Sequence, residues 1–229
     1  AALSTVQMGA LGSAALSGLS TDSIAALSAD QIAALSVKAI PGLSTAQIDA
    51  LSASQIDVLT SAQIAALTGA QLGAMSAADI ATFSEDEIAA IGTAALSGLS
   101  GDAIGALDPD QVAALTVAQV GVLNAGQMAS LTSAQIAAMS TAQIGAFSAM
   151  QAAALAGSIG SLTTEQVGAL TTKALAGLTS TQIGALSTAQ AEALSTAQVA
   201  SLTSTQIAAL GSANLAAFST ADIAAITTG

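Results

Sequence analysis

The chain has 229 residues with no Cys, His, Trp, Tyr or Arg, two Lys against 14 acidic residues, a net charge of −12, and 53% apolar but only 7% charged residues. The side chains that do most acid–base, nucleophilic and soft-metal chemistry are therefore missing, so we expect no enzyme and nominate no catalytic, cofactor-binding or metal-ligating residue. The acidic balance opposes nucleic acid as a partner. High hydropathy with little charge opposes disorder, and a polar residue breaks every apolar run short of the ~20 residues that a transmembrane helix needs.

Read in chain order, the sequence is a repeat. From Leu3 an apolar residue returns every eight positions, through Leu11, Leu19 and Leu27 to Leu155. The unit 155–161 is one residue short; the register resumes at Leu162 and runs to Ile226. This makes 28 octets with the consensus Leu-Ser/Thr-x-x-Gln-Ile-x-Ala, as in Leu43-Ser44-Thr45-Ala46-Gln47-Ile48-Asp49-Ala50. No linker divides the array, so residues 1–229 read as one continuous domain. Since the array starts and stops within a repeat, the expectation is a segment of a longer chain.

Each octet carries the signals of a helix start. Position 2 is a capping residue in nearly every unit, and position 5, three residues on, is Gln in 17 of the 28. Asp79, Glu87 and Asp222 substitute there in others. That is the capping-box spacing, in which the two side chains satisfy each other's backbone N–H groups. Apolar residues at positions 1 and 6 flank the cap as a hydrophobic staple. Of the 14 acids, 11 lie at positions 2 to 5, where the positive end of the helix dipole favours them.

Individual units qualify the pattern. Lys38 sits in a first turn, the unfavourable end for a cation, and Pro41 at position 7, followed by Gly42, predicts a helix that ends early. Glu85, Asp86 and Glu87 form an acidic cluster without the alternating oxygen spacing of a calcium loop, so it reads as a solvated first turn. Pro109 stands at the first helical position behind Asp108, where proline is well tolerated. In Leu155-Ala156-Gly157-Ser158-Ile159-Gly160-Ser161 no capping residue follows the Leu, predicting a kink or flexible joint. Lys173 repeats the Lys38 placement. Phe83, Phe147 and Phe218 replace Leu at position 1 and read as core, as do most of the five Met.

The predicted fold is all-α, a solenoid of very short capped helices, one per octet. Helices of about six residues do not stand alone, so the units have to stack on their neighbours. Without odd–even alternation, a spiral of three or four units per coil fits better than 16-residue hairpins. A β-solenoid turning a corner between positions 1 and 6 is the alternative, although Ala favours helix.

The Gln file (Gln7, Gln31, Gln47, Gln55 and onward) and the Ser/Thr file could form a ligand comb or a hydroxyl face for ice or glycan, but capping explains both spacings. Leu107-Asp108-Pro109-Asp110-Gln111-Val112-Ala113-Ala114-Leu115 is similar to the opening helix of TAL-effector repeats; the base-reading loop of that longer repeat is missing. Over the whole chain, units such as Met139 to Phe147 resemble octapeptide tracts of very large secreted bacterial proteins, including adhesin-like and RTX-type surface proteins. The chain lacks their Gly-Gly-x-Gly-x-Asp calcium repeat. This resemblance implies an extracellular bacterial location and a structural role: a stalk, or a segment that self-associates into filaments or a surface layer. No ligand is implied.

Overall fold

The computed structural model describes residues 3–226. Among them it holds 26 α-helices of four to seven residues, two 3-10 helices and no strand. The helical reading of the octet holds, and the β-solenoid alternative does not.

The unit at Leu43 shows why each helix begins and ends where it does. Ser44 has extended backbone (φ −72°, ψ 161°); its Oγ accepts from the Gln47 N–H at 3.2 Å, and its own N–H donates to Gln47 Oε1 at 2.7 Å. With two orphan donors of the helix start satisfied, Thr45–Asp49 winds as helix. The N–H of Leu51 then turns back to the Ile48 carbonyl at 3.1 Å, and Ser52 starts the next cap. The exit through Ala50 stays right-handed (φ −80°, ψ −6°). No left-handed residue is needed, and among the described glycines only Gly211, at φ 74°, lies in that region.

Chain contacts divide the molecule into two compact units, residues up to Leu115 and residues from Thr116 on. Both are built by one rule. A helix packs on the helix three octets before it: Thr21–Ala25 on Thr45–Asp49 and Ser61–Ala65 on Glu85–Ala90 in the first unit, Thr141–Gly145 on Thr164–Ala169 and Ala149–Ala154 on Thr172–Gly177 in the second. This is coiling, not hairpin pairing. Position 6 forms the innermost core, with Ile64, Ile88, Ile144 and Ile183 all at 0% exposure, and position 1 lies just outside it, as at Leu67 and Leu186 (4% each). Positions 2 to 4 and position 7 mostly face solvent.

The irregular units keep their core. In the Pro41 octet no α-helix forms at all; a turn leads into the 3-10 helix Ile40–Gly42, with Leu35, Ala39 and Ile40 buried. Proline at position 7 removes a helical N–H and crowds the preceding turn, an effect stronger than the early ending predicted. Pro109 opens the helix Pro109–Ala114 behind the Asp108 cap as expected. The octet lacking one residue becomes the 3-10 helix Ala156–Ser161, whose tighter winding brings Ile159 (0%) and its neighbour Leu155 (2%) into the core.

Candidate functional site

The most ordered polar feature of the molecule is the Gln file. Beyond Gln7 and Gln31 its members are buried: Gln47, Gln55, Gln63 and Gln71 in the first unit and Gln151, Gln166, Gln182, Gln190, Gln198 and Gln206 in the second are at most 6% exposed. Burial of a primary amide is tolerated only when its donors and acceptor are all engaged. Here they are. Oε1 closes the capping box within its own octet, as when it accepts from the Thr60 N–H at 2.9 Å in Gln63.

Nε2 points to the preceding coil. Gln47 donates to the carbonyls of Leu16 (2.9 Å) and Leu19 (2.7 Å), Gln63 to those of Ile32 (3.0 Å) and Leu35 (2.9 Å), and Gln71 to those of Ile40 and Leu43 (2.8 Å each). In the second unit Gln151 meets Val120 and Leu123, Gln198 meets Val167 and Leu170, and Gln206 meets Leu175 and Leu178. In these six the reach is the same, 31 and 28 residues back. One carbonyl belongs to position 6 of one octet and the other to position 1 of the next. The Leu16 carbonyl also accepts from the Leu19 N–H at 3.1 Å, so both of its lone pairs are used.

Across the short octet the reach of Gln166 contracts by one residue without losing its targets, whereas Gln182 takes Ala152 and Ala153. Gln166 donates to Ile136 and Met139, 30 and 27 residues back, which are again positions 6 and 1. No buried side-chain nitrogen or oxygen among the described residues lacks a partner.

Substitutions at position 5 show what the amide supplies. Asn214 keeps a donor, and its Nδ2 reaches the Leu186 carbonyl 28 residues back at 2.9 Å. Asp222 can only accept: it takes the Ser219 hydroxyl at 2.6 Å and, from the preceding coil, the Thr196 hydroxyl at 2.7 Å. These hydroxyls, Ser219 first, hold its carboxyl below the ordinary aspartate range. Glu165, at the first turn of Thr164–Ala169, is likewise lowered, chiefly by a backbone N–H and then by the Thr163 and Thr164 hydroxyls. Asp79 and Glu87 close capping boxes at the surface. Ala39, Ala95, Ala103 and Ala174 fill the position as buried methyl groups.

The capping role was legible in sequence; the tie between coils was not. The signal was present. A capping box and a helix dipole accept Glu as readily as Gln, yet position 5 holds 17 Gln and a single Glu, Glu87. A preference that strong for a neutral amide marks a required donor.

The remaining sequence candidates stay apart. Glu85, Asp86 and Glu87 form a first turn capped by Ser84, and no group of acidic residues among the described ones is arranged to hold a metal ion. Phe83, Phe147 and Phe218 are buried in the core. Among the described residues no helix is long and apolar enough to cross a membrane. A cavity of about 520 Å³ near the C-terminal end, beside Leu202, Ile207, Leu215 and Ile226, has an apolar floor and no titratable lining group.

Short capped helices whose coils are bonded one to the next within each unit define the class: an all-α tandem-repeat protein. The particular family follows from comparison. A family model described as the ALTTAQ repeat matches residues 1–37, 40–69, 85–117, 120–157, 159–196 and 175–212, most of the chain, and this protein belongs to that family. No curated protein matches it.

Proposed function

We propose that the chain is a non-enzymatic structural element, an elongated stalk or filament-forming segment of an extracellular bacterial surface protein. The observation that carries this is the destination of the Gln file. The most regular polar groups among the described residues are spent joining coil to coil within each unit. Repetition of that contact adds stability with each octet and length with each coil.

The surface fits the role. It is built of Ala, Ser, Thr and Gly with few charges, so lateral contact costs little desolvation. A face of hydroxyls for ice or glycan has less support, because the position-2 oxygens, Ser44 Oγ and Thr60 Oγ1 among them, already serve their caps. Small-angle scattering of the dilute protein, followed by negative-stain microscopy at high concentration, tests the proposal. Rod-like scattering and filaments are expected; a compact, concentration-independent monomer overturns it. A thermal-hysteresis assay that registers activity would favour the ice-binding reading instead.

A further inference from the structure

Inside the second unit the amide ties between coils fail around one octet, 155–161. Between Leu155 and Ile159 stand three residues, Ala156, Gly157 and Ser158, where other octets have four, and none of the three is an amide. On the side of the preceding coil, Gln151 holds the Val120 and Leu123 carbonyls and Gln166 holds those of Ile136 and Met139. The Met128 and Leu131 carbonyls between these targets receive no side-chain amide among the described residues. On the side of the following coil, Gln182 donates to Ala152 and Ala153, and Gln190 to Gly160 and Leu162. Neither reaches the carbonyls of Leu155 and Ile159. The octet is thus tied through its own positions 1 and 6 to neither neighbour.

Other octets that lack the position-5 amide are held in another way. Octet 170–177 has Ala174 there, yet Thr171 Oγ1 caps its helix, and Gln198 and Gln206 take its Leu170 and Leu175 carbonyls. In the first unit the 3-10 octet at Pro41 is gripped by Gln63 at Leu35 and by Gln71 at Ile40. Octet 155–161 has no side-chain cap and winds as a 3-10 helix, whose hydrogen bonds are poorer than those of an α-helix. A cavity of about 210 Å³ lies beside it, bounded by Gly157 and by Ala153, Thr179, Thr181, Gln182 and Ala185. A Cβ on Gly157 would meet nothing within 4 Å. Burial of Leu155 (2%) and Ile159 (0%) is what keeps the octet in place.

We infer that octet 155–161 is a built-in yielding point, which opens by itself and carries Leu155 and Ile159 out of the core while the coils on either side stay folded. Local opening begins where the fewest ties must break. The flanking helices Ala149–Ala154 and Thr164–Ala169 each keep a capping box, and Gln151 and Gln166 bond both to the coil before. Seven released residues can span up to ~25 Å. Tension along the chain is therefore taken up at this octet without dismantling its neighbours. The opening belongs to the second unit by itself, whatever flanks the chain or assembles with it.

Amide hydrogen exchange of the full chain, read by mass spectrometry on overlapping fragments, is the test. Residues 156–161 should exchange ~10-fold or more faster than Ala149–Ala154 and Thr164–Ala169, the effect of one or two missing hydrogen bonds. They should also exchange faster than octet 35–42, which shares the 3-10 winding but keeps its amide ties. Equal protection from 149 to 169 overturns the yielding point; equally fast exchange in octet 35–42 overturns the missing ties as its cause. Ala156→Ser together with a Gln inserted after Ser158 restores the Leu-Ser-x-x-Gln-Ile spacing. Protection of the repaired octet should rise to that of its flanking helices, and unchanged exchange there counts against the proposal. If the repaired chain loses helical circular dichroism, Gly157→Ala replaces it. That methyl group has room and restricts the open state, so exchange in 156–161 should slow ~2–5-fold; no slowing overturns the local opening.

Discussion

Gly98 lies against the backbone of Gly69 so closely that a Cβ on Gly98 would overlap the Gly69 carbonyl. The same contact joins Gly42 to Ser13 and Gly177 to Ala149, each time from position 8 of one octet to position 3 of the octet three before it. Glycine occupies position 8 in four octets only, at Gly18, Gly42, Gly98 and Gly177, and each of those has Ala at position 5. At Gly42, Gly98 and Gly177 the backbones of the two octets come so close that only a residue without a side chain fits between them.

Gly98→Ala should therefore destabilise the chain by about 1–3 kcal/mol through enforced displacement of the neighbouring backbone. Gly121→Ala, in the helix Val117–Val122 with nothing within 4 Å of the new methyl group, should instead stabilise by about 0.5–1 kcal/mol. Urea denaturation of the two variants, compared with the parent, checks the sign of each.

Replacing Gln63 by Glu separates its two roles. Glu keeps the acceptor for the Thr60 N–H but turns a carboxylate oxygen toward the Ile32 and Leu35 carbonyls, where a donor stood. At neutral pH this should cost about 1–3 kcal/mol. Burial among acceptors raises the folded pKa of the new acid, so the protonated form is favoured in the native state. The stability recovered is fully present below the unfolded glutamate pKa and lost as pH rises through the folded one. A Gln63→Glu protein that grows less stable relative to the parent on acidification would refute the donor role.

Asp222 should behave in the opposite sense. Its folded pKa is depressed by the Ser219 and Thr196 hydroxyls, so its contribution is present above the unfolded aspartate pKa and disappears as pH falls through the lower folded value. Thr196→Val removes the donor from the preceding coil, and the carboxyl should titrate closer to its ordinary range. Carbon-detected NMR titration of Asp222 in both proteins measures this directly.

Truncation of Ile64 tests how far one octet feels another. Ile64→Ala opens a cavity in a fully buried position and should cost about 2–5 kcal/mol. Since stability in such arrays is a sum of neighbour terms, faster amide exchange should appear in Ser61–Ala65 and in the helix packed on it, Glu85–Ala90. The distant helix Thr5–Gly9 should keep its parent rates. Uniform acceleration along the chain would show global cooperativity instead.

How much of this could be read beforehand divides along the range of the interactions. The caps, the staple and the tolerance of Pro109 depend on residues within one octet, and all were legible from spacing. The complete loss of α-helix at Pro41 is a local effect of the same kind, only stronger than anticipated. The contraction at 155–161 was less legible, because whether a missing residue bends the chain depends on whether Ile159 still reaches the core, and the 3-10 winding makes that so. The number of octets per coil was bracketed only as three or four, because it is set by what a Gln amide meets on another coil. Gln over Glu, and glycine at position 8 paired with Ala at position 5, were its traces in the sequence.

The reach of 28 residues also fixes how the courses are laid. With an eight-residue brick, each such Gln reaches a joint between two bricks of the course below instead of a single brick. Gln47 holds Leu16 on one side of a joint and Leu19 on the other. A protease that severed the chain between those two residues would leave both cut ends tied to the course above, so a nicked wall of this kind keeps its form.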